Sequence, residues 1–178
     1  MSLSPTAIPA RKIRPSAAFM FSHPAHWLAQ GFGSGLSPIM PGTVGTLFAW
    51  LSFNLLTQRF PSFFDPLHWL VIIVAGFFIG IAACEMTGRH LGVADHGSMV
   101  WDEIIAFWLV LLLVTPADFS TQCWAFFWFR LFDMAKPQPI RYFDQHLKGG
   151  LGVMWDDIVA AFYTLLVFAL WANFRHLI

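Results

Sequence analysis

The sequence predicts an all-α integral membrane protein of about four to five transmembrane helices, carried by a single membrane-embedded domain over residues 1–178. Three observations predict it. Hydrophobic residues make up 57% of the 178 residues and charged residues only 11%, less than half the share that covers a soluble domain. Charge-free runs recur along the chain at lengths close to that of a membrane-crossing helix. The ionisable residues collect in alternate connecting segments. The same composition excludes a disordered chain. Ten Lys and Arg balance ten Asp and Glu, so no basic field exists to hold nucleic acid.

From the N-terminus, Arg11, Lys12 and Arg14 precede a stretch broken by Pro15, His23, Pro24 and His26. A cleavable signal peptide needs an uninterrupted apolar stretch after its basic region, so residues 1–29 read as a loosely ordered N-terminal tail. The charge-free runs are 42–58 (17 residues), 69–84 (16), 104–117 (14), 119–129 (11) and 158–174 (17). The first, second and fifth can span. The third and fourth span as 102–116 and 119–133 if their terminal charges sit at the membrane surface; the alternative is a re-entrant or interfacial pair. With five spans and the N-terminus inside, the inner segments 1–41, 85–103 and 130–157 hold eight basic residues and the outer ones two, Arg59 and Arg175. That is the positive-inside bias. The acids are equally lopsided, with Asp65 and Asp118 alone outside. Cys84 and Cys123 fall at opposite faces and are not expected to pair.

An internal helical-hairpin repeat is visible. Residues 99–106 read MVWDEIIA and residues 153–160 read VMWDDIVA, an offset of 54. Hairpins 67–117 and 118–176 would then be parallel repeats about an axis along the membrane normal, bringing both acidic pairs to one face. Trp101 and Trp155 read most simply as interfacial anchors.

Three constellations suggest chemistry. Asp102-Glu103 and Asp156-Asp157 each open an apolar helix. Capping explains one acid per pair. Two adjacent acids, twice, with Asp133 nearby, point further, because unpaired carboxylates at a membrane boundary repel one another and normally hold cations. Oxygen ligands without cysteine favour Mg²⁺. Second, Arg130, Asp133 and Lys136 recur every third residue and share a helical face until Pro137 and Pro139 stop the helix. Two cations and a carboxylate beside metal-binding acids suit a phosphate ester; the same charges would also contact anionic head groups. Asp133 would be a metal ligand, a base for water or a nucleophile, and all three stay open here. Third, residues 31–46 (GFGSGLSPIMPGTVGT) form a Gly-, Ser-, Thr- and Pro-rich lead into the first span. Its amides and the hydroxyls of Ser34, Thr43 and Thr46 are candidates to cradle an anion. Neither a Rossmann nor a Walker pattern is present. His90 and His96 read as polar loop residues.

Three blocks in this order, SGLSPIMPGTVGT (34–46), WDEIIAFW (101–108) and RLFDMAKPQPIRYFDQHLKGGLGVMWDDIVAA (130–161), resemble the phosphatidylglycerophosphatase A family of bacterial membrane enzymes. The likeness covers about residues 30–165. It implies a Mg²⁺-dependent lipid phosphatase that hydrolyses the terminal phosphate of phosphatidylglycerophosphate, giving phosphatidylglycerol and inorganic phosphate. It also implies a multi-pass protein of the bacterial inner membrane with its active site on the cytoplasmic face. Carried onto this chain, the functional positions would be Thr43, Thr46, Asp102, Glu103, Arg130, Asp133, Lys136, Asp156 and Asp157. From the chemistry of the residues themselves, the expected metal ligands are Asp102, Glu103, Asp156 and Asp157, the expected catalytic residues Arg130, Asp133, Lys136 and Asp156, and the expected substrate-binding residues Ser34, Thr43, Thr46 and Arg141. Met40 stands where the family usually has a small residue, and Phe107-Trp108 replace a smaller pair. The alternative from another class is a small transporter or ion-conducting protein. It would need ionisable groups at mid-membrane depth, whereas the runs here are free of charge. The sequence sets no oligomeric state.

Overall fold

A computed structural model describes residues 15–138, 146–147 and 149–176, and every regular element among them is helical. Two short helices come first, α1 (Ala17–Phe21) and α2 (Pro24–Ala29), then a 3₁₀ turn (Gly31–Leu36). The long helices follow: α3 (Pro41–Arg59), α4 (Pro66–Leu91), α5 (Trp101–Val114), α6 (Phe119–Ala135) and α7 (Gly149–His176).

Residues 17–29 correct the expectation of a loose tail. Ser16 caps α1 by accepting from Phe19 N (3.2 Å), and the His23 ring caps α2 by accepting from Ala25 N (3.0 Å). Pro24, read as a breaker, occupies the first turn of α2, where its missing N–H costs nothing. Both helices dock beside the end of α4 through His26, whose Nε2 lies 2.8 Å from His90 Nδ1. Residues 1–14 of that tail lie outside the described residues.

The long helices alternate in direction, so α3, α5 and α7 start at the end where α4 and α6 finish. Asp65 caps α4 and Asp118 caps α6, each accepting a backbone N–H at 2.9 Å. The backbone and ring hydrogen bonds from His68 hold the Asp65 carboxyl below its ordinary range. Gly92 (φ +70°) ends α4 in the left-handed conformation that glycine adopts without strain. Met40, at φ +47°, takes the left-handed region just before α3 without that freedom.

α5 is the axis of the fold. Ile104, Ile105, Ala106, Phe107, Val110 and Leu111 are fully buried, enclosed by α3, α4, α6 and α7. Trp101 is therefore no interfacial anchor. It is buried, and its Nε1 donates to Gly76 O (2.9 Å). Trp155, its counterpart in the repeat, stays 37% exposed against Phe77. The two halves of the repeat are thus not equivalent in packing.

The outer faces of the neighbouring helices are apolar and exposed, with Leu51 and Leu55 on α3, Val71, Phe78 and Ile79 on α4, and Phe162 and Leu170 on α7. So much exposed apolar surface marks contact with a nonpolar medium or partner. By length and apolarity, two helices among the described residues could cross a membrane, Pro66–Leu91 and Gly149–Asn173. The expected count of four to five is therefore not reached on these criteria. α5, with 14 residues, is only about 21 Å long at 1.5 Å per residue. It is short of the roughly 30 Å hydrocarbon core.

Candidate active site

Three of the four acids expected to gather lie together. Asp102 and Glu103 occupy the first turn of α5, and Asp157 projects from the third turn of α7. One carboxylate oxygen from each lies within 4.8 Å of the others. All three sit inside the bundle: Asp102 is 8% exposed, Asp157 3%, and the Glu103 side chain 12%. Asp102 Oδ1, Glu103 Oε2 and Asp157 Oδ2 are buried without a hydrogen-bond partner. Buried carboxylates repel one another and lose hydration, so such an arrangement lacks the compensation that buried polar groups ordinarily have. An oxygen-only set of three clustered carboxylates, each with an unpartnered buried oxygen, fits a hard divalent cation.

Arg130, from the last part of α6, closes one side of this cluster. Its Nη1 lies 3.8 Å from Glu103 Oε1, pairs with Asp133 and reaches Thr46 Oγ1 at 3.5 Å. Asp133, one turn further along α6, lies near enough to Glu103 and Asp157 to act on both electrostatically. Arg130 Nε and the Thr43 hydroxyl are also buried without partners. Thr46 donates to Gly42 O (2.8 Å). Gly42 leaves room for the group, since a Cβ there would lie 2.2 Å from Glu103 Oε1 and 3.2 Å from both Arg130 Nη atoms.

Asp156 departs from the expected ligand set. One residue along α7 is about 100° around the helix, and Asp156 turns to Lys136, its Oδ2 2.5 Å from Lys136 Nζ. Lys136 ends α6 at φ +39°. Ser34 is engaged locally, donating to Gly31 O (2.7 Å). Its turn packs on the segment before α5, where a Cβ at Gly35 would meet Ser98 O at 2.1 Å. Arg141 lies outside the described residues. His90, read as a loop residue, belongs to α4 and meets His26. His96 does lie in the loop, within hydrogen-bonding distance of Ser98 Oγ (2.9 Å).

Sequence reasoning passed over Glu85, whose Oε2 accepts from Gly150 N (2.8 Å) at the start of α7. The available signal was a helix opening on Gly149-Gly150 with no acid in its first turn.

A family model described as Phosphatidylglycerophosphatase A matches residues 27–172. The chain is 43% identical over 155 residues to "Phosphatidylglycerophosphatase A" of Escherichia coli (strain K12), covering 87% of each chain. It is 40% identical over 145 residues to the protein of the same name from Haemophilus influenzae, covering 82% of this chain and 86% of the relative. No solved structure matches. The matched region takes in every described residue of the carboxylate cluster and the Arg130–Lys136 segment, and the chain belongs to the phosphatidylglycerophosphatase A family.

Proposed function

We propose that this protein is a Mg²⁺-dependent phosphatase that removes the terminal phosphate of phosphatidylglycerophosphate. The observation that carries the reading is the trio of buried carboxylates, each with an unpartnered oxygen, beside an arginine with an unpartnered Nε. Membership of the family supplies the substrate class. A divalent cation held by Asp102, Glu103 and Asp157 supplies charge neutralisation of phosphate oxygens and a lowered pKa for a nearby water.

The chain's own groups do the rest. The Arg130 guanidinium, whose Nε is buried without a partner, receives phosphate oxygens in a fork. Thr43 donates its hydroxyl to a third oxygen. Asp133, held between Arg130 and the acidic cluster, accepts the proton of the attacking water. Lys136, on the same rim, delivers a proton to the departing ester oxygen, and Asp156 holds its ammonium in place. The acyl chains remain along the apolar outer faces of the helices, so only the head group enters. The protein then spans the bacterial inner membrane several times with this end in the cytoplasm. That orientation is supported by the sequence, in which eight basic residues fall in segments 1–41, 85–103 and 130–157 and two in the segments between the other helix ends.

The test is phosphate release from phosphatidylglycerophosphate by the purified protein. Release that requires Mg²⁺ and is abolished by chelation supports the reading. Equal release with and without the cation, or none at all beside measurable vesicle uptake of a labelled solute, overturns it.

A further inference from the structure

We propose that Glu85 is a positioning residue that anchors the N-terminus of α7 to α4 and so sets the height at which Asp157 meets Asp102 and Glu103. The inference rests on the reading of that cluster given above.

A helix begins with backbone N–H groups that its own turns leave unpaired, and an acid in the first turn commonly compensates them. α7 has no acid there. The compensation arrives from another helix: Glu85, near the end of α4, accepts Gly150 N at 2.8 Å. Its second oxygen, Oε1, is held by Arg89 Nε (2.9 Å) and Nη2 (2.8 Å), one turn further along α4. One carboxylate therefore ties three points together, with its own side-chain conformation fixed by the arginine.

The backbone is shaped for this contact. A Cβ at Gly149 would stand 2.2 Å from Glu85 Oε2, and one at Gly150 would stand 1.9 Å from Ile81 O and 2.8 Å from Glu85 N. The first turn of α7 thus rests on the backbone of α4, and a side chain at either glycine would lift it away. Gly80 does the same one turn earlier on α4, where a Cβ would meet Met154 Sδ at 2.7 Å.

Register carries the effect to the site. Gly150 and Asp157 are seven residues apart, about two turns or 10 Å along one face of α7. Any slide or rotation of the helix start therefore moves the Asp157 carboxylate by a similar amount. A misplacement of about 1 Å at a reacting centre can cost about a hundredfold in rate. Glu85 is itself outside the carboxylate trio and its side chain is 38% exposed, so it acts through Asp157 rather than on the phosphate.

The experiment compares full-length wild-type protein with E85A, E85Q and R89Q in detergent, measuring Mn²⁺ affinity, kcat, KM and Tm. E85Q keeps an oxygen for Gly150 N, whereas E85A does not. E85A is expected to weaken Mn²⁺ binding and lower kcat by about tenfold or more with KM within about twofold, the scale of losing an outer-shell support. E85Q and R89Q are expected to stay within about threefold on both measures. E85A binding Mn²⁺ as wild type does, or E85Q failing as badly as E85A, overturns the proposal. If E85A does not fold, E85D carries the test, because its carboxylate falls one methylene short. It should lose about threefold or more in Mn²⁺ affinity, and unchanged affinity overturns the anchor. Wild-type protein that ranks these variants by Mn²⁺ affinity but releases no phosphate supports the anchor and sinks the phosphatase reading separately.

Discussion

The two ends of the helix bundle treat their polar groups in opposite ways. At the end where α4 and α6 begin, the buried side-chain polar atoms of the described residues have partners. Gln122 Oε1 accepts from Trp50 Nε1 (2.5 Å) and Asn54 Nδ2 (2.9 Å), and Trp69 Nε1 donates to Thr57 Oγ1 (2.9 Å). Asp65 and Asp118 are both used as caps. At the other end, three carboxylate oxygens, the hydroxyls of Thr43 and Thr87, a guanidinium nitrogen and both side-chain amide atoms of Gln30 are buried with no partner among the described residues. The first pattern holds helices together. The second leaves polar and charged groups buried without protein partners, and a native fold keeps such groups where they are used.

Altering one polar group at a time at each end breaks this comparison most sharply. Asp157→Asn is expected to lower phosphate release by about a hundredfold or more, the scale of losing an electrostatic partner of the transition state. With Mg²⁺ absent, its Tm should equal or exceed that of wild type, because mutual repulsion falls. A variant that loses stability and keeps activity contradicts the assignment. Arg130→Lys keeps the charge but removes the planar fork, and kcat should fall about tenfold or more. Gln122→Leu is the converse case. It strands Trp50 and Asn54, so denaturation should show a loss of about 1–3 kcal/mol, with phosphate release per folded molecule unchanged.

A smaller effect comes from the third polar region, where α2 meets α4. Burial, followed by the nearby His90 and His23, pushes the His26 pKa below 6.5 despite its contact with Phe19 O. The folded state therefore resists the proton that the unfolded chain accepts at about pH 6.5. Stability from this group is present above that pH and is lost as pH falls through it toward the folded-state pKa. Melting curves from pH 7.5 to 5 should show this decline in wild type and a shallower one in His26→Gln. Parallel curves would remove His26 from the account.

Much of the site was legible in the sequence. The repeated WD-acid motif told that two distant helix starts would share a face, and Asp102, Glu103 and Asp157 do meet. The repeat also pairs Asp102 with Asp156, which is buried too and meets Lys136. Both acids of α7 are buried, and helix rotation, fixed by contacts that the motif does not contain, brings Asp157 to Asp102 and Glu103 and Asp156 to Lys136. Glu85 was invisible as a partner because its role depends on α4 and α7 touching through glycines. Helices α1 and α2 were missed because prolines were weighed as breakers, although Pro24 starts one. Trp101 was misread because amphipathic anchors and buried indoles look alike until α5 is known to be central. Its burial depends on four neighbouring helices and not on its own sequence.

Diffraction from crystals soaked in Mn²⁺, recorded at the manganese edge, tests the central claim most directly. The account predicts an anomalous peak in coordination contact with Asp102, Glu103 and Asp157, absent in Asp157→Asn. A peak centred on Asp156 and Lys136, or none anywhere near the start of α5, would contradict it.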